Sequence, residues 1–361
     1  MIDLRYGTHP HQPAWVLDDG PLRVRAGTPS FINLLDALNA WQLVRTASAA
    51  TGAVVAASFK HVSPAGVASA GGLDDVIRET WRVTEPGPLT GAYVRARDAD
   101  PKSGFGDVVA VSAPVDAELA DLLSQVISDA VIAPGFEPGT LEVLVRKKSG
   151  TFLVLEADPA YEPPECERRD VHGVVVAQRR DRAPFLPGLP SDALLGVATL
   201  RHTQSNSVAV VGDGMPLGIG AGQQNRVDCV RLAVGKARTW WLRRHPVVRT
   251  LPRVPGMSRQ DRLNWQIRLA EGRLTPAQEV EFTELFPGFP LVLPDPGPWA
   301  SRATLVSDGL LPFRDNIEHA ATIGISHVVE PGGSTRSPDV ADACARHGMS
   351  LTHTGLRLFH H

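Results

Sequence analysis

Residues 33–59 read NLLDALNAWQLVRTASAATGAVVAASF, and the pattern of this stretch indicates the fold class. In its first part, apolar side chains recur at helical spacing, which predicts a helix over Asn33–Ala49. In its last part, the apolar run Val54–Phe59 is short and uninterrupted, which predicts a buried strand. A helix that leads directly into a buried strand is typical of α/β proteins.

The same alternation of helices and strands continues towards the carboxyl end of the chain. Further strands are predicted at Asp107–Ser112, Ala130–Ala133, Thr151–Leu155, Val208–Val211, Leu217–Ile219, Ala303–Leu305, His327–Val329 and Ser350–Thr352. Further helices are predicted at Leu73–Val83, Asp116–Ser124, Thr140–Lys148, Ser191–Thr203, Gln224–Arg243 and Ser337–Gly348, and after the cap residue Thr275. This order predicts the α/β fold class.

Two lobes are expected, because a chain of 361 residues exceeds the usual size of one domain. The first lobe is assigned to residues 1–160 and the second to residues 191–361. Residues 161–190 are rich in Pro, Arg and Glu and are expected to connect the lobes. The pattern weakens late in the chain, where a helical insertion is placed at about residues 247–300.

Composition excludes several classes of protein. Lys and Arg number 36 against 39 Asp and Glu, a balance that argues against a nucleic-acid coat and a polybasic membrane binder. Cys166, Cys229 and Cys344 are far apart, which excludes a disulfide framework and the common zinc ribbons. The sequence has no apolar signal segment at its amino end and no apolar run of 18 residues. A cytoplasmic protein that binds neither nucleic acid nor membrane is therefore expected.

Lys60 and His61 directly follow the apolar run and are the first candidate for catalysis. In α/β sheets, ligand crevices open at the carboxyl ends of strands. A lysine beside a histidine offers a cation and a general base side by side. The alternative is a polar pair that only contacts water at the end of a strand, and the pattern does not exclude it.

Three loop segments are further candidates for ligand binding. Gly218–Arg226 is rich in glycine before a predicted helix, which suits an anion, with a tight hairpin turn as the alternative. Gln204–Ser207 offers amides for a carboxamide or hydroxyl, with a helix cap as the alternative. Pro331–Arg336 lies between a strand and a helix, which again suits an anion, with a plain turn as the alternative.

A series of longer motifs occurs in the order found in one protein family. They are LRYG (4–7), PHQ (10–12), FINLLDALNAWQLV (31–44), SFKHVSPAG (58–66), SGFGD (103–107), SDAVIAPGF (128–136), TQSNSV (203–208), GIGAGQQNR (218–226), KARTWWLRRHP (236–246), PFRDNIE (312–318), PGGSTR (331–336) and LRLFHH (356–361). Together they resemble the transformylase domain of the bifunctional AICAR transformylase/IMP cyclohydrolase family. The resemblance covers nearly the whole chain and is weakest between Pro246 and Pro298.

The resemblance implies transfer of a formyl group from 10-formyltetrahydrofolate, the co-substrate, to the 5-amino group of the ribonucleotide AICAR. That amine is conjugated with the imidazole and carboxamide, so it needs a base as it attacks, and the tetrahedral oxyanion needs a positive neighbour. By resemblance, His61 is the base and Lys60 stabilises the transition state. His361 is implied to lie near the reacting amine and carboxamide.

The resemblance also implies binding residues. Those for the nucleotide are Arg5, Tyr6, His61, Gly106, Asp129, Asn206, Arg226, Ser334, Thr335 and Arg357. Those for the folate are Val227, Leu310 and Asp315. Arginine suits phosphate through bidentate charged hydrogen bonds, and Arg5, Lys60, Arg226 and Arg357 are expected to converge on one anionic ligand.

The implied fold is a pair of duplicated cytidine-deaminase-like lobes, each a three-layer α/β/α unit without zinc. The implied assembly is a homodimer whose active sites draw on both subunits. The length leaves no room for an IMP cyclohydrolase domain, so none is expected. Whether a structural K⁺ binds is left open, and no metal ligands are assigned.

The sequence departs from the family pattern at two places. Leu310-Leu311 stands where the family has an aromatic pair, and leucine cannot stack on a flat ring as an aromatic side chain does. Thr8-His9 replaces the commoner pair before Pro10.

Three functions are hypotheses at this point. The first is an AICAR transformylase. The second, motivated by Leu310-Leu311, is a paralogue in a specialised nucleoside pathway that formylates an AICAR-like aminopyrazole or aminoimidazole carboxamide nucleotide. The third is a non-catalytic nucleotide- or folate-binding regulator, which has no reason to keep a base beside a cation.

Overall fold

A computed structural model describes residues 2–18 and 20–361. Their strands are β1 (Ile2–Asp3), β2 (Trp15–Val16), β3 (Leu22–Ala26), β4 (Val55–Lys60), β5 (Ser63–Ser69), β6 (Asp107–Val111), β7 (Ser128–Ala133), β8 (Leu153–Ala157), β9 (Cys166–Val171), β10 (Val174–Arg179), β11 (Ser207–Gly212), β12 (Met215–Ala221), β13 (Thr304–Ser307), β14 (His327–Glu330) and β15 (Ser350–His353). Their helices are α1 (Phe31–Thr51), α2 (Asp75–Trp81), α3 (Pro88–Ala99), α4 (Ala117–Gln125), α5 (Thr140–Arg146), α6 (Ser191–Arg201), α7 (Arg226–Leu242), α8 (Pro246–Arg249), α9 (Arg259–Glu271), α10 (Pro276–Leu285), α11 (Asp315–Ala321) and α12 (Ser337–Arg346).

The two large sheets repeat one topology. The first has the strand order β3-β8-β7-β6-β4-β5, and the second has the order β12-β11-β13-β14-β15. In each sheet an antiparallel hairpin, β4–β5 or β11–β12, is followed by three mutually parallel strands. The prediction of an α/β fold class is confirmed.

The two sheets lie edge to edge and share a core. The Ser69 N–H of β5 donates to the Gly214 carbonyl beside β12, at 2.9 Å. Helices α1 and α6 pack on each other, and one apolar cluster joins side chains from both sheets, among them Phe59 and Val306. Each large apolar side chain buried there contributes roughly 1.5–3 kcal/mol, so the shared core stabilises both lobes together.

The long helix of the opening stretch has defined ends. Ser30 and Asn33 form a capping box at its start, and Gly52 ends it in the left-handed conformation at φ +69°. The helix predicted after Thr275 has the same kind of start, because Thr275 and Gln278 cap each other. Both helices therefore begin close to where the sequence predicted.

Gly218 lies in a strand, as the prediction at Leu217–Ile219 expected, but Gly220 also lies in that strand and not in the turn that both interpretations of Gly218–Arg226 expected. Gly218 and Gly220 lie inside β12, and a Cβ on either one would overlap a backbone carbonyl of α7. Gly66 in β5 meets α3 in the same way. These glycines let a helix approach a strand closely, and the turn itself is confined to residues 222–225.

Several further elements were not predicted. β5 contains Pro64, which weakens the strand pattern, and α3 begins at Pro88 within a Pro-Gly-Pro sequence that is typical of a break between elements. The expected connector at 161–190 contains the β9–β10 hairpin, whose residues are mostly exposed on both faces. The helical insertion expected at about residues 247–300 contains α9 and α10, but the sequence pattern predicted the start of α10 only.

Within residues 2–18 and 20–361, no helix combines the length and the apolar character needed to cross a membrane.

Candidate functional site

Lys60 ends β4, and the two residues that follow form the tight turn to β5. His61 and Val62 have φ of +55° and +58°, as a two-residue hairpin turn requires. This conformation strains a β-branched residue such as Val62, so the surroundings must hold it in place. Two side chains of α1 do so: Asp36 Oδ1 accepts from the Val62 N–H at 2.5 Å, and Asn39 Nδ2 donates to the Val62 carbonyl at 3.1 Å.

The rule that placed a crevice at this turn, an opening at the carboxyl ends of parallel strands, does not describe this edge of the sheet. β4 runs antiparallel to β6, so the end of β4 lies at the amino end of the parallel strands and not at their carboxyl ends. Lys60 Nζ donates to the Phe105 carbonyl at 2.8 Å, just before the first residue of β6. Polar groups converge at this edge because the hairpin strand returns to the start of its neighbour.

The same edge brings Gly106 and Asp129 together. Gly106 has a φ of +72°, and its Cβ position lies 3.7 Å from the Asp129 carboxylate. Burial raises the pKa of Asp36, and the negative charge of Asp129 adds to this, whereas the charge of His61 opposes it.

Two lysines contact the neighbouring residues Ser128 and Asp129, and no sequence motif marked either lysine. Lys148 Nζ lies 2.6 Å from Asp129 Oδ1. Lys147 is buried, donates to Ser128 Oγ at 2.5 Å, and places its ammonium 4.0 Å from the Phe152 ring centre. Burial, with the adjacent charge of Lys148, lowers the pKa of Lys147 to about 7.

A cleft of about 430 Å³ opens beside Lys60. Its other walls are Lys102 and Phe105 on one side and α9 on the other. The α9 side chains that face it include Gln260, Asn264 and Arg268, which come from the region where the sequence pattern is weakest. Only the fold could assign them, because no local motif marks them.

Asn206 and Arg226 form a second group, in the other half of the chain. Arg226 is 9% exposed and pairs with the fully buried Asp308, while its Nη2 donates to Asn206 Oδ1 at 2.6 Å. The Ser205 hydroxyl also donates to Asp308, at 2.6 Å. The expectation that Arg226 is mainly an anion ligand is thus modified, since a buried carboxylate already neutralises most of its charge.

The two residues of the Leu310-Leu311 pair have different surroundings. Leu311 is buried in the core of the second lobe, and its N–H donates to Glu330 Oε2 at 3.1 Å. Leu310 is only partly buried and follows Gly309, whose Cβ position overlaps the Arg226 guanidinium. Of the pair, Leu310 is thus the residue near the second group.

The remaining folate candidates lie near the starts of two helices. Val227 is the residue after Arg226 at the start of α7, and it is partly buried. Asp315 begins α11, and its Oδ1 accepts from Asn316 at 3.0 Å.

The loop Pro331–Arg336 joins β14 to α12, as predicted. Gly332 and Gly333 have φ of +74° and +82°, and the Arg357 guanidinium approaches the Cβ position of Gly333 at 3.9 Å. Ser334 and Thr335 follow directly, before the first turn of α12. Arg357 and the loop are therefore neighbours, at the carboxyl end of a parallel strand.

Arg5 and Tyr6 lie next to the start of α1. Arg5 Nη2 donates to Asn33 Oδ1 at 2.9 Å, and its guanidinium is 5.4 Å from the Tyr6 ring centre. Each of the four cations expected on one ligand therefore has a different neighbour: Asn33 for Arg5, Phe105 for Lys60, Asp308 for Arg226 and Gly333 for Arg357.

The terminal segment docks beside Asn206. The Ser205 N–H donates to the His360 carbonyl at 3.0 Å, and Leu358 is buried. His361 is exposed, and its carbonyl accepts from Arg169 of the β9–β10 hairpin at 2.9 Å.

One side chain connects the turn of the first lobe to the second lobe. Asn39 Nδ2 donates both to the Val62 carbonyl and to the His202 carbonyl, each at 3.1 Å. His202 lies two residues before Gln204, which bridges to His360. Among the described residues, no group of three or more His, Cys, Asp or Glu side chains is arranged to hold a metal ion.

Comparison with known proteins agrees with these motifs. A family model described as AICARFT/IMPCHase bienzyme matches residues 1–236. The bifunctional purine biosynthesis protein PurH of Aquifex aeolicus (strain VF5) is 30% identical over 390 residues, which cover 100% of this chain and 60% of the relative. PurH of Ruegeria sp. (strain TM1040) is 28% identical over 380 residues, which cover 99% of this chain and 59% of the relative. The chain therefore spans about three fifths of the length of these relatives.

Proposed function

Because the chain belongs to the AICARFT/IMPCHase bienzyme family, we propose that it transfers a formyl group from 10-formyltetrahydrofolate to the 5-amino group of AICAR. The observation that carries the proposal is the Lys60–His61 turn. Its strained backbone is held by Asp36 and Asn39, and Lys60 lines the adjacent cleft. A strained turn that carries a base next to a cation on the wall of a cleft suits a catalytic site.

The chemistry follows from these two side chains. The amine nitrogen of AICAR forms a bond to the formyl carbon while His61 accepts the proton that the amine loses. The Lys60 ammonium stabilises the oxyanion that develops on the formyl oxygen. The tetrahedral intermediate then breaks its bond to N10 of the folate, and the proton held by His61 passes to N10. His361 is proposed to contact the amine and carboxamide.

The nucleotide is proposed to bind through its phosphate and its base at different parts of the site. Arg357, Ser334 and Thr335 offer a guanidinium and the first turn of α12 to the phosphate, with Arg5 as a second cation. Tyr6, Gly106, Asp129, Asn206 and Arg226 are proposed to contact the base and ribose. The fixed position of Asn206 on Arg226 supports a role in orienting the carboxamide.

The folate is proposed to occupy the cleft beside Lys60. The exposed ring of Phe105 offers an apolar surface for a flat pterin, and Gln260 and Asn264 offer amides. We also propose that the folate contacts three residues near the Arg226 group, namely Val227, Leu310 and Asp315. If the cleft and the nucleotide site are neighbours, the formyl carbon of the folate lies close to the amine of the nucleotide.

A homodimer is proposed to bring the two groups of residues together. The α1 face beside Asp36 exposes Phe31, Leu35 and Leu38, at 40%, 41% and 36%, and this apolar row favours burial against a second copy. Shared active sites would then combine the His61 turn of one protomer with the Arg226 group of its partner.

We further propose that each lobe is cytidine-deaminase-like, with the lobes at residues 1–160 and 191–361 and the connector at 161–190. The repeated strand order supports this. The free cysteines Cys166, Cys229 and Cys344 are consistent with a cytoplasmic enzyme.

Leu310 favours one alternative acceptor. Without an aromatic side chain to stack on the ligand, the site could select an aminopyrazole or another aminoimidazole carboxamide nucleotide over AICAR. The ratio of kcat/KM for the two acceptors decides between them.

The direct experiment follows tetrahydrofolate release from 10-formyltetrahydrofolate with AICAR as acceptor. The proposal expects turnover by the purified wild-type chain. A folded dimer that binds AICAR and gives no turnover with either acceptor would contradict the proposal and favour the regulator hypothesis.

A further inference from the structure

A second pocket, apart from the Lys60 cleft, is also lined by residues of α9. It has a volume of about 130 Å³ and is enclosed by α2, α9 and the segment around α8. Its lining is dominated by guanidinium groups, from Arg82, Arg243, Arg249, Arg253, Arg259 and Arg262. None of the residues assigned to formyl transfer lines it, so a ligand at this pocket would not depend on the proposed function.

The carboxylates at this pocket do not balance its cations. Glu79 lines it and pairs with Arg249 at 2.8 Å, and Asp75 lies 3.6 Å from the same guanidinium. Arg262 donates to two backbone carbonyls. Among the described residues, no ion pair or hydrogen bond involves the guanidinium groups of Arg82, Arg253 or Arg259, which are exposed residues, and this leaves an excess of positive charge.

One buried donor at the pocket also lacks a partner. Arg243 is 3% exposed, and its terminal nitrogens bind Asp98, but its Nε has no hydrogen-bond partner in the described chain. An unsatisfied buried donor on an arginine is costly unless a ligand accepts from it. Arg243 lines the same pocket as the first residues of α9, where the helix dipole adds further positive potential.

The positive charges at this pocket repel one another, and Glu79 offsets only part of this repulsion. Burial lowers the pKa of Arg259, and the charges of Arg82 and Arg97 lower it further. Burial and the charge of Arg253 likewise lower the pKa of Arg262, whereas the charge of Glu79 opposes this. An anion would relieve this repulsion, so its binding would be favoured by the charges already assembled.

From these observations we propose that the pocket binds a compact phosphate anion with at least two negative charges, such as a pyrophosphate group. Arginine guanidinium groups match phosphate oxygens in pairs, and several of them can engage two adjacent phosphates. Val76, Met257 and Leu263 add an apolar wall that can contact an organic group attached to the phosphates. A nucleoside diphosphate and free pyrophosphate share this chemistry.

Isothermal titration calorimetry at constant ionic strength, without divalent cations, tests the proposal with two probes, inorganic pyrophosphate and ADP. The test variant is Arg82→Gln/Arg259→Gln. The control is Arg23→Gln/Arg346→Gln, which removes two exposed arginines from other parts of the chain. The proposal expects the Kd of the probes to rise at least tenfold in the test variant and to change less than twofold in the control.

Comparison of the probes identifies the source of the phosphate. Equal affinity supports recognition of the pyrophosphate group alone, and tighter binding of ADP supports contact with the organic group. An Arg357→Gln variant separates this pocket from the proposed substrate site. No binding to wild type, or loss of binding in Arg357→Gln but not in Arg82→Gln/Arg259→Gln, would overturn the pocket and leave the proposed function unaffected.

Discussion

Asp36 shows how a single carboxylate can hold a catalytic turn. Its Oδ1 accepts from the Val62 N–H, next to the proposed base His61, in a backbone conformation that costs about 1–3 kcal/mol. The sequence motifs point to His61 but not to Asp36, because Asp36 lies in an apolar helix and reaches the turn only through the fold. A side chain that reaches the site only through the fold is not marked by any pattern in the sequence around it.

Replacing Asp36 tests this positioning role. We expect Asp36→Ala to lower kcat roughly tenfold to a hundredfold with KM nearly unchanged, because the His61 turn loses the contact that fixes it. Asp36→Asn keeps an acceptor oxygen and should recover most of the rate. Steady-state kinetics of both variants provide the measurement, and a wild-type kcat for Asp36→Ala would exclude the role.

Lys147 makes a pH dependence testable. Its pKa in the folded chain is about 7, below its usual 10.5, so the unfolded chain binds more protons between these two values. The free energy of unfolding should therefore rise with pH across that window through this group, and stay level below about pH 7. Urea unfolding of wild type and Lys147→Met from pH 6 to 10 isolates the effect. The contributions of other titratable groups cancel when the two free energies of unfolding are subtracted. A pH-independent difference would contradict it.

At the scale of elements, α1 and β4 were predicted because helical spacing and a short apolar run are strong local signals. β5 was not, because Pro64 and Gly66 look like a loop in isolation. Gly218 lies in the predicted strand, whereas Gly220 was assigned to a turn and lies in the same strand beneath α7. The sequence shows that these positions are glycine, but only the close packing of α7 on the strand explains why glycine is needed there.

Gly218 offers a test of close packing between α7 and β12. We expect Gly218→Ala to lower the free energy of unfolding by at least about 1–3 kcal/mol, because its Cβ would overlap the Ala233 carbonyl. Gly235→Ala is the matched control, since Gly235 lies inside α7 with open space at its Cβ position, and alanine there should stabilise by about 1 kcal/mol. Equal effects from both substitutions in denaturant titrations would argue against the packing account.

At the scale of the whole molecule, sequence motifs located most of the candidate site but not its arrangement. Lys60, Gly106 and Asp129 lie far apart in sequence and meet because a hairpin strand returns to the start of β6. Arg226 was predicted, but its buried partner Asp308 was not. In our proposal, the relation between the His61 turn and the Arg226 group depends on assembly of a homodimer, which no local pattern specifies.

A dimer through the exposed face of α1 gives a prediction at this scale. Wild type should have the mass of a dimer in light scattering after size exclusion, whereas Leu35→Glu/Leu38→Glu should be monomeric and inactive, because it places charges in the proposed interface. Val143→Glu/Val280→Glu, which alters exposed side chains on α5 and α10, should remain dimeric. A dimeric Leu35→Glu/Leu38→Glu protein would exclude this surface.

The central claim is that His61 is the base of a formyl transfer to an AICAR-type amine. The most direct test compares wild type with His61→Ala in two assays, tetrahydrofolate release and calorimetric binding of AICAR, with His172→Ala in the exposed β9–β10 turn as control. The account predicts that His61→Ala loses about 10²–10⁴ in kcat while its Kd for AICAR changes little, and that the control is unaffected. A His61→Ala protein with the wild-type rate would contradict it.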